Sequence, residues 1–281
     1  MKRHLYVSDL DGTLLREDAL LSPYAIDQLN LLMEKGIAFT IATARSITSV
    51  REVLKGIEIQ LPVVCSNGAY ISDMATGKHR HVHGLAKPHD QALLQLVQEK
   101  GFTPFMGTYD GTQDHLYLGK IVNAGMEWYL HERQAAKDRR LKVDAKLEAA
   151  LDEYILSMNI IERREPLAEL ASAIQAQFGE QFQMYLYENW YSGEWFWLSI
   201  YDVSATKGHA LKILAEELNF GMEELTIFGD NLNDLSMFQS DAYKVAVSNA
   251  RAEILALSDK IIDTHHSDSV VKYILDKEGF I

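Results

Sequence analysis

Cysteine is nearly absent: Cys65 stands alone in 281 residues. No intrachain disulfide can form, so the fold must rest on its core, and a reducing, cytoplasmic setting is the expectation. Basic residues are scarce too. The 27 Lys and Arg face 40 Asp and Glu, a formal net charge of −13. Such a surface does not neutralise a phosphate backbone, so nucleic acid is not an expected partner. No apolar run approaches the ~20 residues of a membrane span, and no secretory n-region and h-region precede the first predicted strand, so no membrane association is expected. Repeats, low-complexity tracts and linker-like segments are missing as well. What remains is 47% hydrophobic and 24% charged, enough apolar material for one large domain or two modest ones.

Against that background two acidic segments stand out. The run His4-Leu5-Tyr6-Val7-Ser8 leads into Asp9-Leu10-Asp11-Gly12-Thr13, and far downstream Phe228-Gly229 leads into Asp230-Asn231-Leu232-Asn233-Asp234. Each is an apolar strand running into an acidic loop. Carboxylates gathered at strand ends in an already acidic chain need positive charge between them. Mg²⁺ is the expected cation, because it takes oxygen ligands and binds through one or two carboxylates plus substrate phosphate.

The order of elements supports this. Predicted strands at 4–10, 37–42 and 62–66 alternate with helices that begin at Ser22-Pro23 and over 46–56. Ser22 suits an N-cap, Pro23 the first turn, and Gly36 the end. The alternation predicts a parallel sheet covered on both faces. A hairpin is expected around 74–77, followed by a middle third that mixes antiparallel strands with helices at 88–100, 123–137, 145–150 and 166–178. Strand–helix alternation returns from Ala205, with helices at 206–218, 233–239, 250–256 and 268–277. The expected fold is therefore α/β, a Rossmann-like doubly wound parallel sheet core, formed by 1–84 and 202–281, with an α+β domain inserted at 85–201.

Within the core, Asp9 at a strand's carboxyl end faces the crevice where open α/β sheets bind ligands. A carboxylate there can ligate a metal or attack phosphorus. Asp11 is close enough for the two carboxyls to divide acid and base work. Gly12 permits a sharp turn and close approach to phosphate. Thr43 reads as the N-cap of the following helix, or as a hydroxyl that holds phosphate beside helix amides. Lys207 sits in a first helical turn, unfavourably placed against the helix dipole. It is either a solvated surface lysine or a point charge bracing nucleophile and phosphate. Asp230 is a metal-ligand candidate, Asn233 a phosphate donor, and Asp234 a supporting acceptor or a helix N-terminal charge.

Taken together, Asp9-Leu10-Asp11-Gly12-Thr13, Thr43, Lys207-Gly208 and Gly229-Asp230-Asn231-Leu232-Asn233-Asp234, in that order around a large insert, resemble the four motifs of the haloacid dehalogenase-like (HAD) phosphatases. Ser66-Asn67-Gly68-Ala69 and the insert resemble the Cof-type members with a C2B cap. The resemblance covers nearly the whole chain. It implies a Mg²⁺-dependent phosphatase of a small phosphorylated metabolite, such as a sugar phosphate. Asp9 would be the nucleophile that forms an aspartyl-phosphate, and Asp11 the acid and base. Asp9, the Asp11 carbonyl and Asp230 would hold the metal. Leu10, Ala44, Thr43, Lys207 and Asn233 would hold phosphate. The alternatives are a phosphomutase or phosphotransferase of the same superfamily, and a non-catalytic sensor of phosphometabolites. Two departures stand out: Ala44 replaces the usual Gly of Thr-Gly-Arg, and Asp268-Ser269-Val270 replaces Asp-Gly-Val.

Other features read as structural. His79, His81 and His83 alternate and share one strand face; three such histidines could bind Zn²⁺, but no Cys or carboxylate completes a tetrahedral set, so they are expected on the outer face of the hairpin. The aromatic run Tyr185, Tyr187, Trp190, Tyr191, Trp195, Trp197 is expected to pack the inserted sheet or stack on ligand. Arg139-Arg140 and Arg163-Arg164 read as solvated charges.

Overall fold

The computed structural model describes residues 3–188 and 194–281. The chain forms two compact units: Met1–His81 with Thr206–Ile281, and Val82–Ala205.

The first unit opens with β1 (Leu5–Ser8), wholly buried. The helix α1 (Pro23–Glu34) follows, with Ser22 Oγ accepting from the Ala25 amide at 2.9 Å and Gly36 turning the chain out at φ +84°. Next come β2 (Ala38–Ile41), α2 (Ile47–Val53) and β3 (Val63–Cys65). A short antiparallel sheet joins β3 to β4 (Tyr70–Ser72) and β5 (His79–Arg80). The third predicted parallel strand is thus mostly a hairpin partner, meeting the main sheet through one parallel bridge, Ala42 to Val64.

The second unit comprises α3 (His89–Glu99), β6 (Phe105–Tyr109), β7 (Asp114–Leu118), α4 (Ala124–Ala135), β8 (Leu141–Lys142), β9 (Tyr154–Glu162), α5 (Arg164–Phe178), β10 (Phe182–Glu188) and β11 (Phe196–Asp202). Its sheet runs β10-β11-β9-β6-β7-β8, antiparallel except for the last pair. Alternation along the strands gives the sheet two faces. On one, Met106, Met158, Ile160 and Leu198 pack with Leu93 of α3 and Leu167 and Leu170 of α5. On the other, Phe105, Leu118 and Ile161 pack with Met126 of α4. The helix expected at 145–150 is a 3₁₀ segment, Leu147–Asp152.

The first unit resumes with α6 (Lys207–Glu217), β12 (Leu225–Gly229), α7 (Leu235–Phe238), β13 (Tyr243–Val247), α8 (Ala252–Leu257), β14 (Lys260–Ile262) and α9 (Ser269–Lys277). The main sheet has the order β14-β13-β12-β1-β2 and is parallel throughout. Leu5, Val7 and Ile227 meet Ala210, Leu211 and Leu214 of α6 on one face. On the other, Tyr6 stacks with Phe228, and Phe228 meets Tyr273 of α9 edge-on. Helices therefore cover both faces of a doubly wound α/β sheet. No helix among the described residues is long and apolar enough to cross a membrane.

This topology places the candidate site. The chain leaves β1 for β2 on one side and pairs β1 with β12 on the other, so the strand order reverses at β1. Open α/β sheets bind ligands at the carboxyl ends beside such a switch. Asp9, Thr43 and Asp230 each lie at or just beyond one of these ends.

Candidate active site

The centre of the site is a buried ion cluster. Lys207 is fully buried, and its Nζ lies 2.7 Å from Asp9 Oδ1 and 2.7 Å from Asp234 Oδ1. Thr206 caps α6 by accepting from the His209 amide at 3.1 Å, which sets Lys207 at the first helical position. The unfavourable helix-dipole position is offset by two carboxylates, and Lys207 is no surface residue. Burial alone would lower its pKa, but Asp234 and Asp9 together hold it above the ordinary lysine value.

Asp234 spends its other oxygen on the loop. Its Oδ2 accepts from the Asp230 and Asn231 amides at 2.9 and 3.0 Å. Asp9, Asp230 and Asp234 can each bring one oxygen within 4.8 Å of the others. With both its oxygens committed to Lys207 and the loop amides, Asp234 suits support of the cluster, whereas Asp9 and Asp230 suit direct ligation of a cation.

Asp230 is held from the opposite loop. Thr13 Oγ1 donates to its Oδ1 at 2.8 Å, and Gly12, at φ +76°, lies so close that a Cβ there would sit 2.6 Å from Asp230 Oδ2. A side chain at position 12 would collide with the carboxylate and strain the backbone. The glycine thus brings the two acidic loops together. Burial, joined by the charge of Asp234, pushes Asp230 up to about 7. Burial likewise raises Asp9 well above the carboxylate range, with Lys207 opposing and Asp234 and Asp230 adding to it. Two buried carboxylates and the part-buried Asp230 around one ammonium make an acidic, all-oxygen donor set that fits a hard divalent cation.

Asp11 points elsewhere. Arg45 Nε and Nη2 grip its two oxygens at 2.7 and 2.5 Å, while Arg45 Nη1 donates to Ser49 Oγ at 3.1 Å. Leu10 is buried, and its carbonyl accepts from the amides of Thr13, Leu14 and Leu15, closing the turn after β1. Thr43 is buried, and its Oγ1 accepts from the Arg45 amide at 3.1 Å. The N-cap expected of Thr43 is supplied by Ser46, whose Oγ accepts from the Ser49 amide. The helix starts three residues later than the motif suggested, and Thr43 and Ala44 form the turn before it.

Asn233 Nδ2 donates to Asn67 Oδ1 at 3.0 Å. Asn67 belongs to a buried loop in which Ser66, Asn67 and Gly68 all have positive φ, at 48°, 54° and 97°. A Cβ on Gly68 would lie 2.2 Å from the Thr206 carbonyl, so only glycine lets this loop pack against the start of α6. The sequence reading assigned no role to Arg45, Asn67 or Thr13. Each lies in or next to one of the motifs, but its partner is 34, 166 or 217 residues away. For Asn67 the run Asn-Gly after a short strand was the available signal.

The remaining expectations are adjusted. His79 is buried, stacked on Tyr70 at 3.9 Å and hydrogen-bonded with Ser72, so it is not on an outer face. The strand ends at Arg80; His81 pairs with Glu217, and His83 meets Ser204. Arg140 is gripped by buried Asp138 through two bonds, at 2.9 and 2.6 Å, so it is not merely solvated. Asp268 adopts φ +52° at the start of α9 and accepts from Ser22 Oγ at 2.8 Å, tying α9 to the cap of α1. In the aromatic run, Trp197 meets Tyr129 edge-on and Arg163 lies over Trp195. Trp190 and Tyr191 lie outside the described residues.

Comparison with known proteins agrees with this geometry. The chain is 26% identical to phosphatase YwpJ of Bacillus subtilis over 96% of its length and 99% of that protein's. It is 24% identical to the pyridoxal phosphate phosphatase YbhA of Escherichia coli, over 98% of each chain. A haloacid dehalogenase-like hydrolase from Bacteroides thetaiotaomicron, at 21% identity, superimposes with a TM-score of 0.81 over 98% of this chain and all of that one. A family model described as haloacid dehalogenase-like hydrolase matches residues 6–274, and the chain belongs to that family.

Proposed function

We propose that the chain is a phosphatase that hydrolyses the phosphate monoester of a small metabolite, a sugar phosphate foremost, through an aspartyl-phosphate at Asp9. The observation that carries this reading is the Asp9–Lys207–Asp234 cluster with Asp230 pressed against Gly12. A carboxylate held by a buried ammonium at the mouth of a parallel sheet is a placed nucleophile. The names of the relatives point to the same reaction class.

In the proposed reaction an Asp9 oxygen attacks phosphorus, and the bond from phosphorus to the ester oxygen breaks. Asp11 gives a proton to the departing alkoxide, which leaves as the alcohol. Asp11, now a carboxylate, takes a proton from water as the water oxygen bonds to phosphorus and the Asp9–phosphorus bond breaks. Inorganic phosphate leaves and Asp9 is restored. Lys207 holds the Asp9 oxygen and, as a fixed charge, faces the phosphoryl oxygens. The Leu10 and Ala44 amides, the Thr43 hydroxyl and the Asn233 amide would complete the phosphate cradle. For Asp11 to give its proton to the leaving oxygen, one carboxyl oxygen must come free while Arg45 keeps its hold on the other.

Asp9, Asp230 and the Asp11 carbonyl would hold Mg²⁺. When bound, the ion supplies neutralising charge for the phosphoryl oxygens and for the crowded carboxylates. The pKa values of Asp9 and Asp230, both raised by burial, fit a site that is completed by a cation.

The test is release of inorganic phosphate from p-nitrophenyl phosphate with Mg²⁺. Steady release that disappears in Asp9→Asn supports the reading. Binding without release would support a sensor, and bisphosphate-primed isomerisation without net phosphate release would support a mutase.

A further inference from the structure

We propose that Asn249, in the loop after β13, is a positioning residue that sets the separation of the two acidic loops and, through it, the affinity for Mg²⁺. This rests on the Mg²⁺ reading of the site. Every contact involved lies within the first unit.

Asn249 is exposed, yet both ends of its amide are bonded to the backbone of other loops. Its Nδ2 donates to the Gly12 carbonyl at 2.8 Å, and its Oδ1 accepts from the His265 amide at 3.1 Å. An Asn that only shapes its own turn bonds backbone within about four residues. These partners stand 237 and 16 residues away. Nor is β13 beside β1. The order β13-β12-β1 puts β12 between them, a gap of roughly 10 Å at the usual strand spacing. The bond from Asn249 to Gly12 therefore spans the strand whose end carries Asp230.

The peptide it reaches is the one that meets Asp230. Asn249 holds the Gly12 carbonyl, and the Leu10 carbonyl accepts from the Thr13 amide at 3.2 Å, so the Gly12–Thr13 peptide is bonded at both ends. Gly12 then lies against Asp230 Oδ2, and Thr13 Oγ1 donates to Oδ1. The loop after β13 holds the other partner as well, because the Arg251 amide donates to the Asp230 carbonyl at 2.8 Å. One loop thus grips both sides of the contact between the acidic segments. The turn at His265 steadies it. His266 Nε2 pairs with Glu17 Oε1 at 3.0 Å, which ties that turn to the segment following Gly12.

Mg²⁺ is small and demands near-ideal ligand distances, so contacts that fix ligand spacing from outside decide how tightly it binds. The Asp11 carbonyl, a proposed ligand, belongs to the residue before Gly12. Without the Asn249 bond its segment is free to move away from Asp230.

The experiment titrates Mg²⁺ calorimetrically into full-length, metal-free wild type, Asn249→Ala and Asn249→Asp, with thermal unfolding of each. Asn249→Asp is nearly the same size and still accepts from the His265 amide, but it turns a carboxylate oxygen toward the Gly12 carbonyl. Its added negative charge would by itself tighten cation binding, whereas the lost donation weakens it, so the sign of the change separates the two effects. Both variants should bind Mg²⁺ about tenfold more weakly than wild type, as when an outer contact of a metal site is removed. Phosphate release from p-nitrophenyl phosphate should need correspondingly more Mg²⁺. If Asn249→Ala does not fold, Asn249→Asp decides. An unchanged Mg²⁺ Kd, tighter binding by Asn249→Asp, or a lower metal-free melting temperature with no change in Kd would overturn the proposal while leaving the Mg²⁺ reading intact. If the wild type takes up no Mg²⁺, that reading itself fails, and this proposal with it.

Discussion

Arg45 grips both carboxylate oxygens of Asp11, through Nε at 2.7 Å and Nη2 at 2.5 Å, and is itself steadied by Ser49. The fork fixes the side chain that the proposed reaction needs as acid and then as base. Arg45→Ala should slow alkyl phosphates, whose leaving oxygen needs a proton, by about tenfold or more, and slow p-nitrophenyl phosphate far less. Arg45→Lys should not restore the rate, because a lysine cannot reproduce a planar two-bond grip. Equal losses on both substrate types would remove this role from Arg45.

Asp11→Asn should lower kcat on alkyl phosphates by roughly 10²–10⁴-fold, the usual worth of a placed general acid or base. Mg²⁺ affinity should change little, since the proposed ligand is the Asp11 backbone carbonyl. Isothermal titration with Mg²⁺ beside a kinetic assay separates the two effects. Lost metal binding with intact chemistry would contradict the assignment.

Lys207 is the ammonium that Asp9 and Asp234 share, and its removal leaves two buried carboxylates facing Asp230. Lys207→Met should destabilise the metal-free protein by about 3–5 kcal/mol, the range seen when one partner of a buried ion pair is removed. Lys207→Met with Asp234→Asn should recover part of that loss, because it removes one of the stranded charges. A melting temperature equal to wild type for the single variant would contradict the burial argument.

The pH dependence follows from Asp230, raised from 3.8 to about 7 by burial and by Asp234. Between those values the native carboxyl keeps its proton and the unfolded one loses it. The native state then binds more protons, so this group's contribution to stability falls as pH rises through that window. The metal-free melting temperature should fall more steeply between pH 4 and about 7 in wild type than in Asp230→Asn. Mg²⁺ should raise the wild-type melting temperature more at the upper end of the window, where the proton no longer competes. Parallel pH profiles for wild type and variant would exclude Asp230 as the titrating group.

Local signals were legible where local chemistry decides. Ser22 and Pro23 begin α1 as read, the helix expected at 206–218 is α6, and the two acidic loops do lie beside each other at the sheet's carboxyl edge. The oddity of Lys207 at a helix start was a true signal, because a position poor for local reasons needed a tertiary one. Thr43 misled as a cap because Thr43 and Ser46 both precede the helix and either can cap it; the chain turns through Ala44 first. Arg45 with Asp11 and Asn67 with Asn233 were not legible, since their partners meet only after the sheet is assembled. His79 went astray because alternation assigns a face but does not say what covers it, and Tyr70 covers this one.

The central claim is that Asp9 carries the phosphoryl group. Rapid acid quench of Asp11→Asn turning over a labelled phosphate ester with Mg²⁺, followed by peptide mapping, addresses it directly. The predicted result is a phosphoryl group on the peptide containing Asp9, accumulated because hydrolysis has lost its base, and absent from Asp9→Asn. Steady phosphate release by Asp9→Asn, with no phosphoryl group on that peptide in any variant, would contradict the account.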